Sequence, residues 1–321
     1  MDQYLTNLDT FTRDTMDSLA AVYPDRFQIL PDSYNGRVLL QKDLHPERVN
    51  VIVSSGGGCY PLSAGYVSEG MADASVNGSI RAAPSAYDIY EAAKAIGSKD
   101  GYVLIYNNFM GDYLNNDLAV ELLELEGIPS RLCPSTDDCL SAPADAPRTE
   151  RTGLTGLVYL LKIASACARK GLSLDETHRI VQHANDRISS VTVTLDFEKR
   201  QLCLGAGFSG EPPVITYDDR FTMKDAAATV YDLLIKDLQP KASDKLHLLV
   251  TRLEQTRCEE PFILAKEMKD YAVSRHPFEK LNVGYYTYLL NAHGFFVTVL
   301  CEDEILSPYM GELVNAECFI L

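Results

Sequence analysis

The sequence predicts an α/β protein: two α/β domains, each a mixed or mainly parallel sheet flanked by helices. Three observations carry this. Short β-branched apolar runs, Val49 to Val53 and Tyr102 to Tyr106 foremost, alternate with longer segments at helical spacing. A serine or threonine followed three residues later by an acid recurs at the starts of those segments. The 321 residues are 46% hydrophobic and 23% charged, which supports packed cores and excludes disorder. The division is placed at residue 188, giving domains 1–188 and 189–321.

Each element follows in order. Asp9 to Ala21 reads as an amphipathic helix. Val49 to Val53 is a buried strand running into Ser54-Ser55-Gly56-Gly57-Gly58, and Ala64 to Ala74 reads as the helix after that turn. Ser85 with Asp88 opens a helix through Ile96, stopped by Gly97. Tyr102 to Tyr106 is the next strand, Asn107 to Asp112 the loop leaving it, and Asn115 to Leu125 the following helix, ended by Gly127. Pro129 to Arg151 starts as a short strand and becomes a long loop. Leu154 to Arg169 is a helix closed by Gly171, and Ser173 with Glu176 opens another through Ile188.

From about Ser190, strands are expected at Val191 to Leu195, Gln201 to Gly205, Leu246 to Leu253 and Phe295 to Leu300. The loop Gly207 to Pro213, a helix from Thr222 to Leu238 and a helix from Pro261 to Arg275 fall between them. The βαβ order makes the first half a mainly parallel sheet. Ligands of such sheets bind beyond the carboxyl ends of the strands. The glycine turn and the Asn107 to Asp112 loop leave strands at that edge, so they are expected to share a crevice.

Composition excludes several classes. The net charge is −16 with no dense basic patch, so direct nucleic-acid binding is not expected. No apolar run approaches the roughly 18–20 residues needed to span a bilayer. The start Met1-Asp2-Gln3-Tyr4 is not that of a signal peptide, and a cytoplasmic protein is expected. The eight cysteines contain no C-x-x-C pair and no histidine lies at zinc-finger spacing. Free thiols and no metal site are expected, with Cys167 and Cys203 buried.

The glycines at 56 to 58 carry no Cβ to block a ligand, and their amides with a helix N-terminus can bind an oxygen or anion. A plain tight bend explains them as well. The turn is neither G-x-G-x-x-G nor a P-loop, so nucleotide binding is not indicated. Asp112 can accept a proton from a hydroxyl or cap the next helix; taken alone, capping is the better account. Cys59 could be an activated thiol but reads more simply as a packed small side chain. None of the six histidines falls in the glycine turn or the Gly207 to Pro213 loop, and His178 and His183 read as surface residues.

Taken together, these segments resemble the substrate-binding subunit of dihydroxyacetone kinase, the DhaK family. The carriers are Ser55-Gly56-Gly57-Gly58 with Ala64-Gly65-Tyr66-Val67-Ser68-Glu69-Gly70-Met71, then Ala83-Pro84-Ser85-Ala86. Asn108-Phe109-Met110-Gly111-Asp112 with Leu114-Asn115 is similar to the family's N-Y-T-G-D-x-L-N loop. Gly153-Leu154-Thr155-Gly156, Lys162-Ile163-Ala164, Gly210-Glu211-Pro212 and Val283-Gly284-Tyr285-Tyr286-Thr287 complete the set, which runs through nearly the whole chain.

The resemblance implies two α/β domains, a homodimer, and a role in glycerol metabolism. Members hold dihydroxyacetone as a hemiaminal on a histidine. They take the phosphoryl group from a partner subunit, so no cofactor is bound directly and the nucleotide sits on the partner. It also implies Asp112 as the catalytic residue, and Gly57, Gly58, Asn107 and Ser209 as ligand-binding residues for a small triose-like carbonyl or polyol.

The departures fall at these positions. The family turn G-G-G-S-G-H-E-P-A-H-A-G becomes Gly58-Cys59-Tyr60-Pro61-Leu62-Ser63-Ala64-Gly65, without a histidine. The covalent histidine of the G-I-H-G-E-P loop becomes Ser209, and a lysine becomes Asn107. A serine hydroxyl without a base is a poor nucleophile, and losing an acid–base histidine typically costs roughly 10²–10⁴-fold. Three readings follow. The preferred one is a catalytically impaired pseudoenzyme, comparable to DhaQ-like coactivators that work with a TetR-type regulator. The second is an active kinase subunit with a non-covalently held substrate and Asp112 as base. The third is a structural partner whose crevice is filled by Tyr60 and Phe208.

Overall fold

Short strands, among them Tyr102–Asn107 and Gly294–Glu302 buried along their whole length, form two six-stranded sheets in the computed structural model. It describes residues 7–31, 33, 37–196, 198–199, 201–208, 210–218, 222–287, 289, 292–312 and 314. By contact the chain divides into two units that interleave along the sequence. The first holds the described residues up to Pro134, Leu160–Gln182 and those from Tyr309 on; the second holds Ser135–Tyr159 and His183–Pro308. Residue 188, where the sequence reading divides the chain, opens a strand of the second unit.

The first sheet has the order β1-β2-β4-β3-β5-β6, from β1 (Phe27–Ile29), β2 (Arg37–Gln41), β3 (Asn50–Gly57), β4 (Ala74–Ile80), β5 (Tyr102–Asn107) and β6 (Ser130–Ser135). β4, β3 and β5 are parallel, while β1 and β2 run antiparallel at one side. The sheet is therefore mixed. Successive side chains face opposite ways, so Val38 and Leu40 of β2 join one core cluster and Leu39 the other. The first cluster is closed by α2 (Ala86–Ile96) and α3 (Met110–Leu125) through Ile89, Tyr90, Ala119 and Leu123. The second is closed by α1 (Phe11–Val22) through Met16.

Local start signals held where their partners are local. Ser85 Oγ accepts from the Asp88 N–H at 3.1 Å and Gly97 ends α2 at φ +70. Ser173 and Glu176 bond reciprocally at the start of α5 (Leu174–Asp186), after α4 (Leu157–Arg169).

The second sheet has the order β11-β10-β12-β7-β8-β9. Its strands are β7 (Ile188–Asp196), β8 (Gln201–Leu204), β9 (Ile215–Asp218), β10 (Lys245–Arg252), β11 (Phe278–Gly284) and β12 (Gly294–Glu302). Only β10 and β11 pair in parallel, so this sheet is also mixed. α6 (Met223–Leu238), opened by a full Thr222/Asp225 capping box, and α7 (Glu260–Ala272) cover it through Val230, Tyr231, Leu234, Leu264 and Met268. α8 is the short Ser307–Met310 turn.

Two expectations need correction. The segment 64 to 74 is not a helix: a 3-10 turn at Ala64–Tyr66 is followed by a tight turn in which Gly70 takes φ +86, and the chain then enters β4. The α3 helix starts at Met110 rather than Asn115, so Gly111 and Asp112 belong to its first turn.

No helix of the described residues is long and apolar enough to cross a membrane. The described cysteines are all free; Cys133, Cys139, Cys167, Cys203 and Cys301 are buried, and Cys258 is exposed. Cys318 lies outside the described residues.

Candidate functional site

Three adjacent parallel strands end at one edge of the first sheet. β3 delivers Gly57, Gly58 and Cys59, β4 delivers Arg81, and β5 delivers Asn107 and then the start of α3. The expected crevice between the glycine turn and the Asn107–Asp112 segment rests on this topology. The glycine segment differs from expectation, because the strand does not stop at the glycines. Ser54 to Gly57 continue β3 with an irregularity in register between Ser55 and Gly57, and Gly58 turns the chain at φ +85. Behind this end lies a closed polar cluster: Asn77 Nδ2 donates to Ser55 Oγ at 3.1 Å, and Ser75 Oγ donates to Asn77 Oδ1 at 2.7 Å.

Gly57 is a glycine because another element needs the space. A Cβ there would stand 1.9 Å from Thr12 Oγ1 of α1 and 2.4 Å from the Gly78 carbonyl oxygen. The missing Cβ therefore admits α1. Gly57→Ala is expected to destabilise the protein by about 2–3 kcal/mol. Thr12→Ala should rescue only part of this, since the second clash is with backbone; a double-mutant cycle by thermal unfolding checks both. Gly58 has only the Ile80 side chain nearby, at 3.4 Å.

Asp112 is held by its helix. Asn116, fully buried, donates from Nδ2 to the Asp112 carbonyl at 2.8 Å and to Ser54 Oγ at 2.9 Å, tying α3 to β3. The N-cap is Phe109, which gives no side-chain cap, so Asp112 is the acid of the first turn rather than the capping residue. Its Oδ1 is enclosed and accepts no hydrogen bond among the described residues. Burial pushes its carboxyl up to about 7, against the pull of its own backbone N–H. The helix N-terminus also favours the charged form. A carboxylate poised near neutrality suits proton transfer.

Asn107, the last residue of β5, is buried and its Oδ1 likewise finds no donor among the described residues. Two enclosed acceptors without donors at one strand end match the hydroxyls of a ligand.

Cys59 lies in the electrostatic reach of both Asp112 and Arg81, and burial pushes its thiol up to about 11. It is a neutral thiol at physiological pH. Ser209 lies outside the described residues. Tyr60 and Phe208 are taken up in packing within their own units: Tyr60 beside Met16 and Phe27, Phe208 stacked on Phe296 at 5.9 Å between ring centroids.

Arg81, at the end of β4 beside this turn, is a residue that sequence reasoning did not single out. Its place depends on cross-strand pairing, Gly57 with Ile80, which no local pattern encodes.

All six histidines have polar partners within their own units. His45 pairs with Glu47, His183 with Asp303, His247 with Glu302 at 2.6 Å and His293 with Glu260. His178 and His276 bond the carbonyls of Leu132 and Asp244. His178 and His183 are both partly buried rather than plain surface residues.

The D-erythrulose kinase of Mycolicibacterium smegmatis is 30% identical over 288 residues, covering 85% of this chain and 49% of that protein. The chain thus spans about half the length of that relative. The dihydroxyacetone-binding subunit DhaK of a PTS-dependent dihydroxyacetone kinase from Listeria innocua is 28% identical over 301 residues, covering 88% and 87% of the two chains. The dihydroxyacetone kinase operon co-activator Dha-DhaQ shares the fold at a TM-score of 0.83 and 23% identity, over 94% of this chain and 96% of that one. The Dak1 domain model matches residues 17–318, and the chain therefore belongs to the Dak1 domain family.

Proposed function

We propose that this chain is a divergent homologue of the kinase substrate-binding subunit. It holds a small triose- or tetrose-like carbonyl or polyol without covalent capture, transfers phosphoryl groups poorly if at all, and acts as a cytoplasmic, homodimeric, coactivator-like protein. Its partner is a nucleotide-carrying subunit or a TetR-type regulator. The observation that carries this reading is the neighbour of Asp112 in the glycine turn. That neighbour is Cys59, a thiol pushed up to about 11. It neither shuttles protons near pH 7 nor adds readily to a carbonyl. The fold shared with a named operon co-activator supports the regulatory side, and the match to a DhaK subunit over 87% of its length supports the ligand class.

The test mixes the chain with a nucleotide-carrying subunit and either dihydroxyacetone or erythrulose, with a Listeria-type DhaK subunit as the active control. Phosphorylated ketose should form at least roughly 10²-fold more slowly than in the control. One observation favours the second reading, an active subunit with Asp112 as base: its carboxyl lies near 7. Turnover comparable to the control that disappears in Asp112→Asn would establish that reading instead.

A further inference from the structure

We infer that Arg81 is the cationic anchor of this site and that the ligand is anionic, a small polyol or carbonyl compound bearing a phosphate or carboxylate. This rests on the reading of Asp112 and the strand ends around it as a ligand site, and adds the charge of what they hold.

Position comes first. Arg81 is the first residue beyond β4, and its N–H donates to the Gly57 carbonyl at 3.3 Å. It therefore stands level with Gly58, at the same end of the parallel strands from which Asn107 and Asp112 emerge. Electrostatics agrees with this placement. The Arg81 charge and the Asp112 charge both act on Cys59, in opposite directions. A guanidinium and a carboxylate thus share one small neighbourhood.

The side chain is also uncommitted. Arg81 is exposed and makes no ion pair or side-chain hydrogen bond among the described residues, whereas Arg48, Arg151 and Arg187 each hold a carboxylate within 3.0 Å. Its backbone adds a further sign. Arg81 takes φ +59, a left-handed conformation that a long side chain adopts at a cost and glycine adopts freely. Such strain is most often kept where a side chain is needed in that place.

The chemistry follows. A guanidinium presents two parallel N–H donors that match a phosphate or carboxylate. In a chain of net charge −16, an anion needs such a local cation to approach at all. Asn107 Oδ1 and Asp112 Oδ1, both without donors, suit the hydroxyl end of the same ligand. Arg81 would hold the charged end at the mouth.

Calorimetric titration of the full chain tests this with dihydroxyacetone, dihydroxyacetone phosphate, glycerate and inorganic phosphate. At least one of dihydroxyacetone phosphate and glycerate should bind roughly ten- to hundredfold more tightly than dihydroxyacetone. Which one binds separates the phosphate from the carboxylate. Arg81→Ala and Arg81→Gly should abolish the preference, so that each variant binds the anionic probes no more tightly than dihydroxyacetone, and Arg81→Lys should keep part of it. Arg81→Gly relaxes the left-handed residue, so lost binding in that variant cannot be ascribed to misfolding. Equal binding of neutral and anionic probes, a preference that survives Arg81→Gly, binding of inorganic phosphate alone, or binding of no probe would each overturn the inference. Phosphoryl transfer in the kinase assay is a different outcome: it sinks the non-catalytic reading and leaves the charge preference standing.

Discussion

Asp137→Ala is expected to lower the stability of the protein by about 3–5 kcal/mol. Asp137 is fully buried. Its Oδ1 accepts from Ser135 Oγ at 2.7 Å and the Leu154 N–H at 3.0 Å, and its Oδ2 accepts from the Gly156 N–H at 2.8 Å. These amides lead directly into α4, whose first turn contains no acid of its own. The carboxylate thus serves as the cap and the counter-charge of that helix start. Alanine would strand the donors in a dry site, each costing about 1–3 kcal/mol. Asp137→Asn keeps the shape but turns an NH₂ group toward an N–H or O–H donor, and should cost about 1–3 kcal/mol. Urea unfolding at pH 7 measures both; an alanine variant within about 1 kcal/mol of the parent contradicts the capping role.

Asp112→Asn should stabilise the protein at pH 8 and, on the function proposed above, weaken ligand binding. The sign follows from the folded carboxyl, raised from 3.8 to about 7 by burial. Below about pH 4 the group is protonated in both states and contributes no difference. Between pH 4 and 7 the unfolded chain ionises while the native state keeps its proton, so stability is lost as pH rises. Above about 7 both states are ionised and the full penalty remains. A shift of one unit corresponds to about 1.4 kcal/mol. Because the residue is not fully enclosed, a gain of about 1–3 kcal/mol is expected at pH 8, and none at pH 4. Urea midpoints at pH 4, 6 and 8 check it. A uniform gain across that range would place the effect elsewhere than the carboxyl. Stability gained with binding lost is the usual mark of a group kept for function.

Much of the fold was legible because its signals are local. Ser85 with Asp88, Ser173 with Glu176 and Thr222 with Asp225 announce helices within four residues, and all three helices start there. The β4 strand was not legible. Its residues Ala74-Ser75-Val76-Asn77-Gly78-Ser79-Ile80 are small or polar apart from Val76 and Ile80, and pairing with β2 and β3 makes a strand of them. Ala64, Val67, Met71 and Ala74 have helical spacing by coincidence, and Gly70 breaks the pattern. The α3 start was hidden by Asn107, Asn108 and Gly111, residues that read as loop. The position of Asp112 just beyond β5 was legible from its motif. Thr12 against Gly57 and Arg81 beside Gly58 were not, since both depend on contacts between segments distant in sequence.

The cap on α4 also bears on the order in which the chain folds. Asp137 is fixed from behind by β7, where the Ser190 N–H donates to its carbonyl at 2.7 Å and the Cys139 N–H donates to the Ser190 carbonyl at 3.0 Å. The apolar body of α4 can form from its own residues, and Val158 and Tyr159 bond the nearby carbonyls of Thr155 and Gly156, but the Leu154 and Gly156 amides that lead into it are satisfied only after the loop from 138 to 156 has closed and β7 has arrived. Loop closure must be met in entropy before those bonds are gained. The beginning of the helix is therefore a late event on the way to the native state, and damage to it should quicken unfolding far more than it slows folding.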